Sequence, residues 1–267
     1  MFSKNKNIFL FIPVIFLNII FVLGFFLIYI KTVSTSENIY FELLNSSDFF
    51  ASLIYGLYIS FLTIFLSCSL FLSIYYLLFL LKFKYTQDLN IWFLFLSIPI
   101  LIPYSFCAFL MFLMFFPVGF FKDIMPFLVG TSYSIVIAYI YKIVPFLLLV
   151  TFPNLLKISK NEINLHKVYS SKSFHFFWYI LIKRNFKVMF ISLFVVFSYV
   201  FNAYEIPSIL GSNIEKMPAI YVSELLGQYG INSTNYAYGS SLLYFLTTIC
   251  FVPIFFLCYK IANKVLF

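Results

Sequence analysis

The chain has 267 residues, of which 63% are hydrophobic and only 10% are charged, and its mean hydropathy is +1.03. A soluble domain cannot bury that much apolar surface, so the composition excludes a soluble protein and indicates an integral membrane protein. The apolar runs reach about the twenty residues that a spanning helix needs, and they do not alternate with polar residues. They therefore favour membrane-spanning helices over a β-barrel.

Six segments with almost no charge are predicted to span the membrane. In chain order they are residues 8–30, 51–81, 91–116, 127–150, 188 to about 203, and 240 to about 262. The first is too long for the apolar part of a signal peptide and lacks a small-x-small cleavage site, so it counts as a span. The second is longer than a bilayer core needs and is expected to tilt or to extend past it. Pro99 and Pro103 predict a bend in the third.

The basic residues decide the orientation of these spans, because Lys and Arg concentrate in cytoplasmic loops. Only Lys31, Lys122 and Lys216 fall on one side. The other side holds thirteen bases, namely Lys4, Lys6, Lys82, Lys84, Lys157, Lys160, Lys167, Lys172, Lys183, Arg184, Lys187, Lys260 and Lys264. Both termini are therefore predicted to be cytoplasmic, and the protein is expected in the cell inner (plasma) membrane. Topology also accounts for the net charge of +8, so no nucleic-acid partner is expected.

The predicted organisation has two parts. Residues 1–50 hold the first span and an outside loop, and residues 51–267 hold a five-helix core. The core is interrupted by segment 151–187, the longest charged stretch, whose seven bases face one acid, Glu162. A cytoplasmic segment of this length is expected to contain a helix that projects from the membrane. The predicted fold is thus an all-α integral membrane protein with six spans.

Motifs for catalysis are absent from the sequence. There is no HExxH, no GxSxG and no Walker A motif, and no paired acids lie within a span. Cys68, Cys107, Cys250 and Cys258 fall in apolar runs without a CxxC partner and are interpreted as small buried hydrophobes. His166 and His175 have no further ligand at metal spacing. We therefore expect no enzyme activity, no metal and no cofactor on this chain, and any uphill transport must draw its energy from a partner or an ion gradient.

Lys142 is the only charged residue deep within a predicted span. A charge at that depth costs ~2.5–3.5 kcal/mol or more and is by default a functional candidate. Two interpretations stay open at the sequence level. Lys142 either extends its stem toward the cytoplasmic interface or lines a transport pathway. Glu205, close to Asn202 and Tyr204, lies only at the outer end of the fifth span.

Three stretches carry a resemblance to a known family. The sequence YKIVPF at 141–146 is similar to an aromatic-Lys-x-x-Pro-Phe stretch, and FNAYEIPSILG at 201–211 is similar to F-x-x-aromatic-E-V-P-x-L-L-G, with MPAIY at 217–221 following much like L-P-x-x-x-Y. Segment 164–183 resembles an EAA loop, with Asn164, Leu165 and His166 at the EAA positions and Ser170 at the glycine position. Phe177 and Ile180 fit that pattern, whereas Lys183 stands where the family has proline. Together these stretches resemble the permease subunit of binding-protein-dependent ABC importers, in the branch for polyamines, ferric iron and thiamine.

The resemblance implies a partner for each face of the membrane. Two cytoplasmic ATPase subunits would bind ATP and dock on a coupling helix at about 160–170, a second permease subunit or a second copy would complete the pathway, and an extracytoplasmic solute-binding protein would dock outside, all within membrane lipid. The residues that it implies for ATPase coupling are Lys160, Glu162, Asn164, Leu165, His166 and Ser170. Our own candidates for a pathway or gate are Lys142, Asn202, Tyr204, Glu205 and Pro207. Segment 204–239 is interpreted either as the outside gate or as a plain connecting loop.

Two other classes of function remain open on the sequence. A self-sufficient secondary transporter or channel would need its own ion-coupling residues, and Lys142 is the only candidate. A membrane enzyme would need His, Asp or Glu clustered at one interface, which the sequence does not show. Nothing in the sequence identifies the solute.

Overall fold

The structure, a computed structural model, describes residues 23–30, 32, 38–85, 90–115, 131–159, 161–162, 164, 173–211, 215–228 and 230–266. All regular structure within these residues is helical, which confirms the all-α prediction. Residues 23–30 form a helical stretch. The helices that follow are α1 Ile39–Asn45, α2 Ser47–Tyr85, α3 Asn90–Leu101, α4 Tyr104–Phe115, α5 Ser132–Leu156, α6 Lys183–Asn202, α7 Glu205–Leu210, α8 Pro218–Gly227 and α9 Ile231–Leu266.

By length and composition, three of the described helices suit a membrane span: Ser47–Leu81, Ser132–Leu156 and Ser233–Lys264. A fourth span is possible if the bent pair Leu94–Leu101 and Tyr104–Met114 counts as one. These helices support a membrane protein. The count of six spans stays a prediction, and most of the first predicted span lies outside the described residues.

The observed helices extend beyond several predicted boundaries. Helix α5 continues to Leu156, six residues past the predicted end of the fourth span, and Pro153 lies within this extension. Helix α2 has 39 residues, which is about 58 Å at 1.5 Å per residue and longer than a ~30 Å hydrocarbon core. Helices α7 and α8 form within the predicted outside segment, and α9 begins at Ile231, nine residues before the predicted sixth span.

Helix α5 is the centre of the fold. In its most apolar window 67% of the residues are buried, against 11% for α9. It packs against α2, α3, α4, α6 and α7, whereas α9 packs mainly on α6, α8 and α1. The apolar surfaces that face outward, such as Phe65 at 72% exposure, suit contact with lipid.

Candidate functional site

Lys142 lies at the centre of α5 and is only 2% exposed. Its Nζ donates hydrogen bonds to the carbonyl oxygens of Pro99 at 2.7 Å and Ile100 at 3.3 Å, and also to that of Ile102. The same Nζ lies 4.6 Å from the centre of the Tyr104 ring. An ammonium group has three N–H donors, so the three carbonyls can satisfy it completely.

The break between α3 and α4 explains why these carbonyls are free. Pro103 has no N–H, so the Pro99 carbonyl has no donor four residues later. Helix α3 ends at Leu101, and α4 starts at Tyr104 with a 90° change of direction. The Lys142 ammonium thus replaces the one N–H that Pro103 lacks and the helical donors that are lost at the break. From the sequence, Lys142 either extends toward the interface or lines a pathway. Its contacts with the three carbonyls explain its burial, and neither of these two roles is needed for that explanation.

A chain of three tyrosine rings extends from this ammonium, beginning with Tyr104. The rings of Tyr104 and Tyr199 have centroids 4.8 Å apart, and those of Tyr139 and Tyr199 are 6.3 Å apart. Tyr139 is fully buried one helical turn before Lys142, and within the described part of the chain its hydroxyl has no hydrogen-bond partner. Leaving such a group unpaired costs about 1–3 kcal/mol. We call Tyr104, Tyr139, Lys142 and Tyr199 the tyrosine–lysine cluster.

The predicted gate residues lie at a second break, between α6 and α7. Helix α6 ends at Asn202, whose side-chain amide donates to Ser198 O at 2.8 Å and to Thr248 Oγ1 of α9 at 3.3 Å. Tyr204 and Glu205 are exposed at the start of α7, whereas Pro207 is buried. Because α7 packs on α4 and α5, this break adjoins the helices that carry the tyrosine–lysine cluster.

A cavity of about 990 Å³ opens beside α2 and α8. Its polar walls include Asp48 and Tyr55 of α2, Ser132 at the start of α5, and Glu215. The Tyr55 hydroxyl lies 3.0 Å from Ser132 Oγ and joins α2 to α5 at the wall. On α8 the cavity is bounded by Glu224, which forms an ion pair with Lys216. Six of the residues that line it, Glu215, Lys216, Tyr221, Glu224, Leu225 and Gln228, belong to segment 204–239, and the gate there stays a prediction.

Two predicted coupling residues are described by the structure. Glu162 forms an ion pair with Arg184 at the start of α6, with 3.7 Å between Oε1 and Nη2. Its backbone N–H donates to Ser159 Oγ at 3.2 Å. Asn164 is helical and exposed. The other four, Lys160, Leu165, His166 and Ser170, lie outside the described residues. Residues 161, 162 and 164 are helical, and the coupling helix at about 160–170 stays a prediction because most of it lies outside the described residues.

Sequence analysis missed a buried polar network beside this ion pair. Asn185 is fully buried in α6 and donates to Tyr75 Oη of α2 at 3.0 Å, while its own Oδ1 accepts a hydrogen bond from Asn154 of α5 at 2.7 Å. The Tyr75 hydroxyl donates to Thr151 O at 3.3 Å. The network joins the three central helices. The sequence did contain a signal, because Asn185 is an amide side chain close to an apolar span. It was overlooked because it lies between the bases Arg184 and Lys187, in the charged segment 151–187.

A π-helical segment, Phe177–Ile182, directly precedes α6. Wide turns of this kind are rare and occur often at functional sites. Here Leu181 O accepts a hydrogen bond from Asn185 Nδ2 at 2.9 Å. The wide turn and the network therefore share a residue, next to the Glu162–Arg184 ion pair.

Comparisons with known proteins do not add a family to this geometry. No family model matches the chain, and no curated protein matches it either. No group of three or more metal-binding side chains comes together within the described ranges.

Proposed function

We propose that the chain is the permease subunit of an ATP-driven, binding-protein-dependent solute importer in the cell inner membrane. In this proposal it has six spans with cytoplasmic termini, and residues 51–267 form the permease core. Two cytoplasmic ATPase subunits hydrolyse ATP, and a second permease subunit or a second copy of the chain completes the pathway. An extracytoplasmic binding protein delivers the solute. The support is the resemblance of three stretches of sequence to such permeases, together with the placement of the charged segment.

The observation that carries the proposal is the ion pair between Glu162 and Arg184. It attaches the segment between α5 and α6 to the first turn of α6. Helix α6 in turn packs on α2, α5 and α9. A displacement of the coupling segment by an ATPase would therefore be transmitted to the helices that surround the tyrosine–lysine cluster.

The mechanism would be alternating access. Closure of the ATPase subunits moves the coupling segments, which rock the helices about a central pathway. The break between α6 and α7 is a place where the helices would hinge, whereas the break between α3 and α4 is held by the hydrogen bonds of Lys142. The cavity beside α8 would face the binding protein, and segment 204–239 would close above it as the outer gate.

The test is affinity purification in mild detergent, followed by mass spectrometry of the proteins that come along. A cytoplasmic ATPase is expected with the natural sequence. Leu165→Asp, in the predicted coupling helix, should abolish its recovery while the permease stays in the membrane. Glu162→Arg should lower it, and the exchange Glu162→Arg with Arg184→Glu should restore it. Lys157→Gln, at the exposed end of α5, is the matched control and should change nothing.

A self-sufficient secondary transporter or channel is the second candidate. The observation that favours it is the buried ammonium of Lys142 at a broken helix, since broken helices often form the ion and substrate sites of such proteins. It predicts that the chain purifies alone and moves solute into liposomes without ATP. That result would refute the importer proposal and make Lys142 the first coupling residue to substitute.

A further inference from the structure

A second concave surface lies between α6 and α9, away from the sites above. Its walls are Phe190, Ile191 and Phe194 of α6 and Val252, Phe255 and Phe256 of α9, and its volume is about 250 Å³. The Phe194 and Phe255 rings meet edge to face, with centroids 5.4 Å apart, at its floor. We call this surface the aromatic groove. Its lining is almost wholly apolar, which suits a hydrocarbon chain and not a hydrated solute.

One end of the aromatic groove is basic. The side-chain stem of Lys187 and the ring of Tyr259 complete the apolar lining there. Lys260 lies outside the lining, with its ammonium 4.7 Å from the centre of the Phe256 ring. Both lysines are exposed, and no carboxylate forms an ion pair with either within the described residues. No acid lines the groove. Its charge is therefore complementary to one anionic group at one end of an apolar tail.

The groove also opens toward the place where lipid would be. Ile191 is 55% exposed and Phe256 is 54% exposed, on faces of helices that other described elements do not cover. From Lys187 to Phe194 the wall runs about 10 Å along the axis of α6 at 1.5 Å per residue. Basic pockets between membrane helices commonly hold anionic lipid headgroups.

We propose that the aromatic groove is a binding site for an anionic phospholipid. One acyl chain lies along the phenylalanines, and the phosphate group is held by Lys187 and Lys260. Bound there, the lipid contacts both α6 and α9 along the groove between their outward-facing side chains. The proposal needs only that α6 and α9 are embedded in a membrane, so it stands or falls independently of the importer function.

The test uses a single tryptophan in the groove and brominated lipids, which quench tryptophan fluorescence on contact. The reporter is Phe194→Trp in a chain with Trp92→Phe and Trp178→Phe, reconstituted in phosphatidylcholine with brominated phosphatidylglycerol or brominated phosphatidylcholine. The anionic lipid should quench at the lower mole fraction. Lys187→Gln and Lys260→Gln should each reduce that preference about fivefold, as expected for a lysine at a membrane surface. Lys157→Gln removes the same charge elsewhere and should leave it unchanged.

Two outcomes would overturn the proposal. Equal quenching by the two lipids would show that the groove does not select the anionic headgroup and is covered by the acyl chain of any lipid. No quenching by either would show that another segment of the chain, such as residues 8–22, or a second copy fills the groove. If the reporter chain does not fold, native mass spectrometry of the unsubstituted chain decides the question. It should retain phosphatidylglycerol over phosphatidylcholine, and Lys187→Gln should reduce that preference by about the same fivefold factor.

Discussion

Lys142 is the only charged side chain that is buried among the residues whose side chains the structure describes. Its stability there depends on three backbone carbonyls that a helix break leaves without donors. The lysine and the break therefore stabilise each other. Without the break, the ammonium would face helices whose carbonyls are already bonded. Without the ammonium, the carbonyls would lose their donor in an apolar interior.

We predict that Lys142→Met lowers stability by about 1–3 kcal/mol, because buried carbonyls left unpaired cost that much. The measurement is the midpoint of thermal unfolding in detergent. Lys142→Arg keeps the donors and should lose less. Lys157→Met, at the exposed end of the same helix, serves as the control and should unfold like the natural sequence. An unchanged midpoint for Lys142→Met would mean that the carbonyls do not depend on this side chain.

At the scale of helices, α2 and α8 approach each other unusually closely beside the large cavity. A Cβ at Gly56 would lie 2.5 Å from Cδ and 2.8 Å from Cγ of Pro218, and 3.2 Å from Cε2 of Phe201. The proline ring is rigid and starts α8, so it cannot yield without moving that helix. The contact therefore fixes α8 against α2 and sets one wall of the cavity.

We predict that Gly56→Ala separates α8 from α2 and costs about 1–3 kcal/mol, the usual range for overpacking. Thermal unfolding in detergent again measures the loss. Gly227→Ala, at the other end of α8, is the matched control, because a Cβ there meets nothing within 4 Å. Equal midpoints for the two variants would contradict the close packing of α2 on α8.

Sequence patterns predicted the helices better than their ends and breaks. In a membrane only a helix or a closed barrel satisfies all backbone hydrogen bonds, and apolar runs without alternation favour the helix. Helices α2, α5 and α9 agree with this rule. Prolines had no uniform effect. Pro145 and Pro153 lie within α5, whereas Pro103 coincides with a 90° break. The difference depends on neighbouring helices, since the break is stabilised by Lys142 of α5, a contact across some forty residues that local pattern cannot contain.

The candidate sites were predictable to different degrees. Lys142 was identified because a charge in an apolar run is conspicuous, but its carbonyl partners were not. Tyr139 and Tyr199 gave no signal in a chain with 21 tyrosines. Asn185 was missed because its role requires Tyr75 and Asn154 from two other helices. These sites form where side chains of different helices pack together. Sequence periodicity indicates which residues lie in one helix, but not which helices are neighbours.

At the scale of the whole molecule, the proposed function requires that the two ends of helix α5 lie on opposite sides of a membrane. Ser132 and Gln228 line the large cavity, and Ser159 lies just beyond the other end of α5. The 25 residues of α5 extend about 37 Å, enough to cross a ~30 Å hydrocarbon core. The distribution of lysine and arginine predicts that the end with Ser159 is cytoplasmic.

We predict that a cysteine at position 228 reacts with a membrane-impermeant maleimide in intact cells, and that one at position 159 reacts only after the membrane is opened. The variants are Gln228→Cys and Ser159→Cys, two exposed positions, in a chain whose four native cysteines are replaced by alanine. Both should react equally in detergent, which controls for local accessibility. Reaction of both from outside would mean that α5 does not cross the membrane. Reaction of Ser159→Cys alone would invert the topology and place Glu162 and Arg184 out of reach of a cytoplasmic ATPase, which would end the importer proposal.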